Sequence, residues 1–144
     1  SITPNVIDPS IKTFIQQEEE LGLFDEKFYI KYMSDIKSSR ANLLIKINNI
    51  ILKSKPIVAV GAAAKGNTLL NYYGLNKTII DYVTDSSTHK IGKFTPLSRI
   101  PILSDQEVFS KYDEVYVLIL SWNISDILKE KLIKINTKIK FINL

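Results

Sequence analysis

Val58-Ala59-Val60-Gly61-Ala62-Ala63-Ala64-Lys65-Gly66-Asn67-Thr68-Leu69-Leu70 decides the fold. A short apolar run, rich in β-branched residues, ends at a glycine. Small residues follow, and a helix-compatible stretch opens at Gly66. Gly61, Ala63 and Gly66 occupy the spacing of G-x-G-x-x-G, with alanine at the second glycine. Asp85 lies 19 residues beyond Gly66, about where that pattern places an acid that holds a ribose hydroxyl. Small residues let backbone N–H groups approach a pyrophosphate, and a helix N terminus adds a favourable dipole. Lys65 puts a cation at the rim. The pattern is not a P-loop, where the lysine follows the second glycine; here Lys65 precedes Gly66. On spacing alone two readings stay open: nucleotide contact, or glycines that serve tight turning and close helix packing.

Upstream, the chain reads as helical. Asp8-Pro9-Ser10 is a start signal for a helix over residues 11–21, which Gly22 ends. Asp25 caps a longer helix with apolar positions at Tyr29, Met33, Ile36, Leu43, Leu44, Ile47, Ile50 and Ile51. Ser38-Ser39 marks a candidate bend, and Pro56 stops the helix.

Downstream, strands alternate with helices. Residues 57–60 are a strand, 66–73 a helix closed by Gly74, and 78–84 a second strand ending at Asp85. Residues 86–98 form a loop, 100–103 a short extended piece, and Ser104-Asp105 cap a brief helix to Ser110. Residues 114–120 make a strand apolar enough to be covered on both faces. A helix over 125–135 and a last strand over 138–142 complete the pattern. The expected fold class is α/β: a Rossmann-like parallel sheet of four to five strands with flanking helices, after an N-terminal helical extension. The extension takes residues 1–55 and the sheet domain 56–144. Ligands of such sheets sit at the carboxyl ends of the strands, near the switch in strand order. That points to Gly61–Thr68, Asp85 and its loop, Ser121–Asn123, and the end of the last strand.

Composition narrows the chemistry. The 144 residues are 45% hydrophobic and 24% charged, which fits one folded domain. No apolar run reaches the length of a membrane span, and residues 1–8 lack a signal-peptide pattern. The chain begins without Met, as expected of a piece of something larger. Cysteine is absent, which excludes disulfides, thiolate catalysis and cysteine-ligated zinc within this chain, and accords with a cytoplasmic location. His89 is the one histidine. The net charge of +4 comes nearly all from scattered lysines, with Arg40 and Arg99 the only arginines. Such a charge pattern reads as a solvated surface and not as a nucleic-acid face.

Gly61–Tyr72 resembles the signature of the C-terminal domain of nucleotide-sugar C-methyltransferases. Three further segments resemble that family in order: Ile80–Asp85 with Lys90–Pro96, then Ile100–Ile102, then Leu118–Asn123, which ends in Trp-Asn. The helices around Glu18–Leu23 are similar in character. The resemblance implies a three-part enzyme: a cysteine-rich zinc region, a central S-adenosylmethionine (SAM) domain, and a C-terminal Rossmann-like domain that anchors a nucleotide-linked deoxysugar, commonly thymidine diphosphate-linked. Only the last part is matched here. SAM and zinc then belong to the missing N-terminal part, and this chain binds no cofactor, holds no catalytic residue and is inactive alone. Its expected partners are the nucleotide-linked sugar and the missing SAM-binding domain, with no nucleic acid and no membrane. Three departures touch loop geometry and sugar specificity: residues 86–88 lack Arg-Asn character, Leu97 stands where glycine is frequent, and Ser121 stands where a small residue or proline is common.

The candidate substrate-binding residues are Gly61, Ala62, Ala63, Ala64, Lys65, Gly66, Asn67, Thr68, Asp85, Trp122 and Asn123. Asn67 and Thr68 either donate to phosphate oxygens or cap their helix. Asp85 either accepts from a sugar hydroxyl or caps the next turn. Trp122 stacks on a base or sugar or faces the missing domain, and Asn123 binds ligand or caps the next helix. Tyr72 and Tyr73 cannot face the same way, so one is core. His89 reads as a surface residue, and Glu18–Glu20 as a solvated helix face. The rival functions are an NAD(P)-binding oxidoreductase or dehydratase fragment and a basic nucleic-acid-binding or scaffold domain.

Overall fold

Residues 8–143 are described by a computed structural model. Residues 1–7 and 144 of the expected domains lie outside the described residues. Two units divide after Arg40.

The first unit holds α1 (Pro9–Glu20) and the start of α2 (Glu26–Ile51). The Asp8 carboxylate accepts from the Ser10 N–H at 2.8 Å, the expected cap. Gly22 takes φ +77° beyond the end of α1, a left-handed conformation in which glycine carries no steric cost. Asp25 accepts from the Lys27 N–H at 2.9 Å and opens α2. The helix runs without a break through Ser38-Ser39. Phe14, Phe24, Ile30 and Met33 are exposed on this unit.

The second unit begins within α2. Its last turns bury Leu43, Ile47 and Ile50. The elements that follow are β1 (Ile57–Val60), α3 (Ala64–Tyr73), β2 (Tyr82–Thr84), β3 (Ile102–Leu103), α4 (Asp105–Phe109), β4 (Val115–Ile119), a 3₁₀ turn (Trp122–Ile124), α5 (Ser125–Ile135) and β5 (Ile139–Ile142). All four strand pairings are parallel, in the order β3-β2-β1-β4-β5. The chain steps outward from β1 in one direction, then returns to β4 on its other side. The switch in strand order therefore falls between β1 and β4.

Strand periodicity sorts the core into two layers. Ile57 and Ala59 face one layer with Leu43, Ile47, Leu70 and Leu118. Val58 and Val60 face the other with Val108, Phe109, Val117 and Leu132. Every residue of β1 is buried, as expected of a strand covered on both sides.

Boundaries differ from expectation where side chains compete with the backbone. Residues 78–81 are not strand. The Asn76 side chain accepts from both the N–H and the hydroxyl of Thr78, at 2.8 and 2.7 Å, and holds a turn. The second strand is thereby shortened to three residues. Helix α3 starts two residues before Gly66, because Ala63 is already extended and provides the boundary. Gly74 closes it at φ +72° as expected.

The loop after β2 is built around Thr95. Its hydroxyl meets Ser98 Oγ at 2.6 Å and accepts from the Ile100 N–H at 2.9 Å. Leu97 lies between them at φ +62°, with a side chain 84% exposed. A left-handed backbone costs a leucine roughly 1–2 kcal/mol. Among the described residues no helix is long and apolar enough to cross a membrane.

Two substitutions test this packing. Ile47→Ala should destabilise the chain by about 2–5 kcal/mol in urea unfolding, since Ile47 is 1% exposed in the sheet's core. Leu97→Gly should instead raise stability by about 0.5–1 kcal/mol, because relief of the left-handed strain exceeds the entropy glycine adds to the unfolded chain.

Candidate functional site

At the carboxyl edge of the sheet the β1–α3 turn lies against the end of β4. Gly61 takes φ +97°, and a Cβ there would collide with Ser121 Oγ. A Cβ at Gly66 would meet Leu120 Cβ at 2.7 Å and the Gly61 carbonyl at 3.1 Å. One glycine therefore serves the turn and the other lets α3 approach β4. Both structural roles read from the spacing are present, and neither precludes a ligand.

The N terminus of α3 is left without a side-chain cap. Asn67 and Thr68 do not cap it. Thr68 Oγ1 donates back to the Ala64 carbonyl at 3.3 Å and the residue is exposed. Asn67 Oδ1 is buried with no partner among the described residues. Ala62, Ala63 and Ala64 carry the backbone around the turn, and Lys65 stands exposed beside it. Lys65 Nζ lies 5.9 Å from the centroid of the Trp122 ring, a cation–π distance. Trp122 is 47% exposed on the 3₁₀ turn. Asn123 is exposed on the same turn, and α5 starts after Ile124 with no side-chain cap, so Asn123 does not cap it.

Asp85 ties the edge together. Oδ2 accepts from the Ala62 N–H at 2.8 Å and from Lys90 Nζ at 2.9 Å. Oδ1 accepts from the Ser87 N–H at 2.8 Å, which is the turn cap named as one of its two roles. Burial raises the pKa of this carboxyl. The Ser87 N–H, the Lys90 ammonium and the Ala62 N–H together outweigh burial and hold it below the usual 3.8.

A cleft of about 210 Å³ opens here, lined among others by Gly61, Ala63, Thr84, Asp85, Lys90, Asp105, Ser121 and Lys131. It draws on three of the four expected places. The end of β5 is not among them; Lys46 Nζ bonds the Asn143 carbonyl there at 2.9 Å. The start of α4 takes its place. Asp105 is 7% exposed, and its Oδ2 accepts from Lys131 Nζ on α5 at 2.6 Å. Ser121 and Lys90 fall within the expected places, whereas Thr84, Asp105 and Lys131 were not among the sequence candidates. Asp105 follows the carboxyl end of β3, which was a usable signal. Lys131 meets Asp105 across 26 residues of chain, and no local pattern announces that.

Several expected residues stand apart from the cleft lining. Lys65, Gly66, Asn67, Thr68, Trp122 and Asn123 do not line it. Tyr73 packs on the core while Tyr72 is 42% exposed, their rings edge to face at 5.5 Å. His89 is exposed in a turn. The site thus has two parts: a polar cleft, and beside it a rim formed by the α3 N terminus, Lys65 and Trp122.

Residues 2–143 match the family described as the C-methyltransferase C-terminal domain. The chain is also similar to the C-methyltransferase NovU of Streptomyces niveus, with 28% identity over 117 residues. That match covers 81% of this chain and 28% of the relative, so the chain spans under a third of that protein's length.

The Asp85 network predicts a pH signature. A carboxyl whose folded pKa is depressed contributes stability above its unfolded value and loses it as pH falls through the folded value. Asp85→Asn should cost about 1–3 kcal/mol in urea unfolding at neutral pH, as expected for loss of charge-assisted hydrogen bonds. The gap between variant and wild type should narrow as pH falls below about 4. A gap that stays constant down to pH ~2 would show that the charge contributes nothing.

Proposed function

The chain belongs to the C-methyltransferase C-terminal domain family, and from that premise we propose that it anchors a nucleotide-linked sugar, thymidine diphosphate-linked in the first instance, for methylation at carbon. The observation that carries this reading is the uncapped N terminus of α3, ten residues long, set at the switch in strand order with Lys65 and Trp122 at its rim. In this reading the backbone N–H groups of residues 64–66 and the Lys65 ammonium take the diphosphate. Trp122 offers an exposed aromatic face to a base or sugar ring, and Asn123 a polar side chain beside it. Asp85 acts by holding Ala62 and the turn in place.

This reading places zinc and SAM outside these residues. The chain holds no cysteine, and among the described residues no group of three or more His, Cys, Asp or Glu is placed to hold a metal. The acid after β2, where a ribose diol would be held, is engaged by Ala62, Ser87 and Lys90. We place both groups in the rest of a longer enzyme, and the isolated chain is then inactive. Deprotonation beside the sugar's keto group would create the carbon nucleophile, by a base outside these residues. This chain's contribution is position: it fixes the diphosphate and so the sugar ring, turning a two-substrate encounter into a bound geometry.

Calorimetric titration tests the reading. Thymidine diphosphate should bind the chain, while SAM and NAD should not. Lys65→Ala should weaken binding about tenfold, or ~1.4 kcal/mol. Gly66→Val should abolish it, because the added side chain meets Leu120 at the base of the turn. Tight binding of SAM or NAD in place of the diphosphate would sink the assignment.

A further inference from the structure

The cleft beside the rim has a chemistry of its own. Its charges are paired: Asp85 with Lys90 at 2.9 Å and Asp105 with Lys131 at 2.6 Å. Two carboxylates balance two ammonium groups, so the cleft offers no net charge to a phosphate. The α3 N terminus outside it does. Two buried acceptors are nevertheless unmatched. Thr84 is 0% exposed and its Oγ1 has no hydrogen-bond partner among the described residues. Asp105 is 7% exposed and its Oδ1 has none either. Both residues line the same cleft, Thr84 from the end of β2 and Asp105 from the start of α4.

A buried polar atom without a partner is costly, and native chains keep few of them. Two in one cleft call for a partner from outside the chain. The volume of about 210 Å³ is room enough for one ring. Ion-paired walls, spare acceptors and room for a single ring match an uncharged ring that donates hydroxyl hydrogens.

We propose that the Thr84–Asp105 cleft is a hydroxyl-reading subsite, which accepts hydrogen bonds from a hydroxyl-bearing ring of the ligand while the diphosphate stays at the α3 N terminus. This rests on the anchoring reading above and adds a specificity element to it. The shared chemistry is a ring hydroxyl, supplied either by the hexose or by the nucleoside's own sugar. Lys131 holds Asp105 through Oδ2 and leaves Oδ1 as the spare acceptor. Ser121, packed on Gly61, lines the cleft where it meets the β1–α3 turn.

NMR titration of the chain with inorganic pyrophosphate, thymidine diphosphate and thymidine diphosphate glucose tests it. The Thr84 methyl and the Ser86 amide should shift with a ring-bearing ligand and stay still with pyrophosphate, which should move only Ala64–Gly66. Thr84→Val should weaken the ring-bearing ligand about fivefold, the worth of one hydrogen bond, yet leave or raise the Tm because it removes an unmatched hydroxyl. Asp105→Asn should weaken it at least tenfold. If both variants affect only the glucose conjugate, the ring is the hexose; if they affect thymidine diphosphate equally, it is the nucleoside sugar. Normal wild-type binding that depends on Lys65 but is indifferent to Thr84→Val and Asp105→Asn would overturn the subsite and leave the anchor intact. Absence of any binding to wild type would overturn both, starting with the anchor.

Discussion

A Cβ on residue 66 would stand 2.7 Å from Leu120 Cβ, and a Cβ on residue 61 would collide with the Ser121 hydroxyl. The helix after β1 can begin where it does only because those two atoms are missing. With them gone, the β1–α3 turn and the end of β4 close against each other at the switch in strand order. The Asp85 carboxylate then reaches Ala62 from the neighbouring strand end and fixes the turn from the other side. The uncapped helix terminus, the cleft and the placement of Trp122 all follow from that close approach.

Charge is distributed along this edge in a way that separates two tasks. Inside the cleft each carboxylate has its own lysine, so the walls are polar but balanced. At the rim the α3 dipole and Lys65 favour an anion, while the nearby Asp85 carboxylate is held on Ala62 and Lys90. A diphosphate and an uncharged ring would be drawn to different parts of one site without any group having to discriminate between them directly. In the proposed positioning role, two-point attachment fixes orientation as well as distance.

The parallel sheet was legible because its strands are short, β-branched and separated by helix-period segments. Residues 57–60 and 125–135 fall where periodicity put them. The rest was obscured by local side-chain competition. Asn76 captures Thr78 and cuts the second strand to three residues, a contest between an Asx turn and a ladder that propensity does not decide. Ser38-Ser39 leave α2 continuous, since two serines lower helix propensity only slightly against its 26 residues. At the site, the turn and Asp85 were visible as a spaced motif. The Asp105–Lys131 pair was not, because neither residue is unusual in its own segment.

The sequence by itself determined the α/β class, the parallel order of construction and the glycine turn. Each depends on residue types at short, fixed spacings, which the chain states directly. It also left Asp85 with two roles and assigned the polar cleft to none. Tertiary structure decided those. It gave Asp85 three donors from two loops, and it set Thr84 and Asp105 into one cleft with unmatched oxygens. Such an arrangement depends on the stacking of α4 and α5 over the strand ends. Which polar atoms find a partner is a property of that packing and of no segment taken alone.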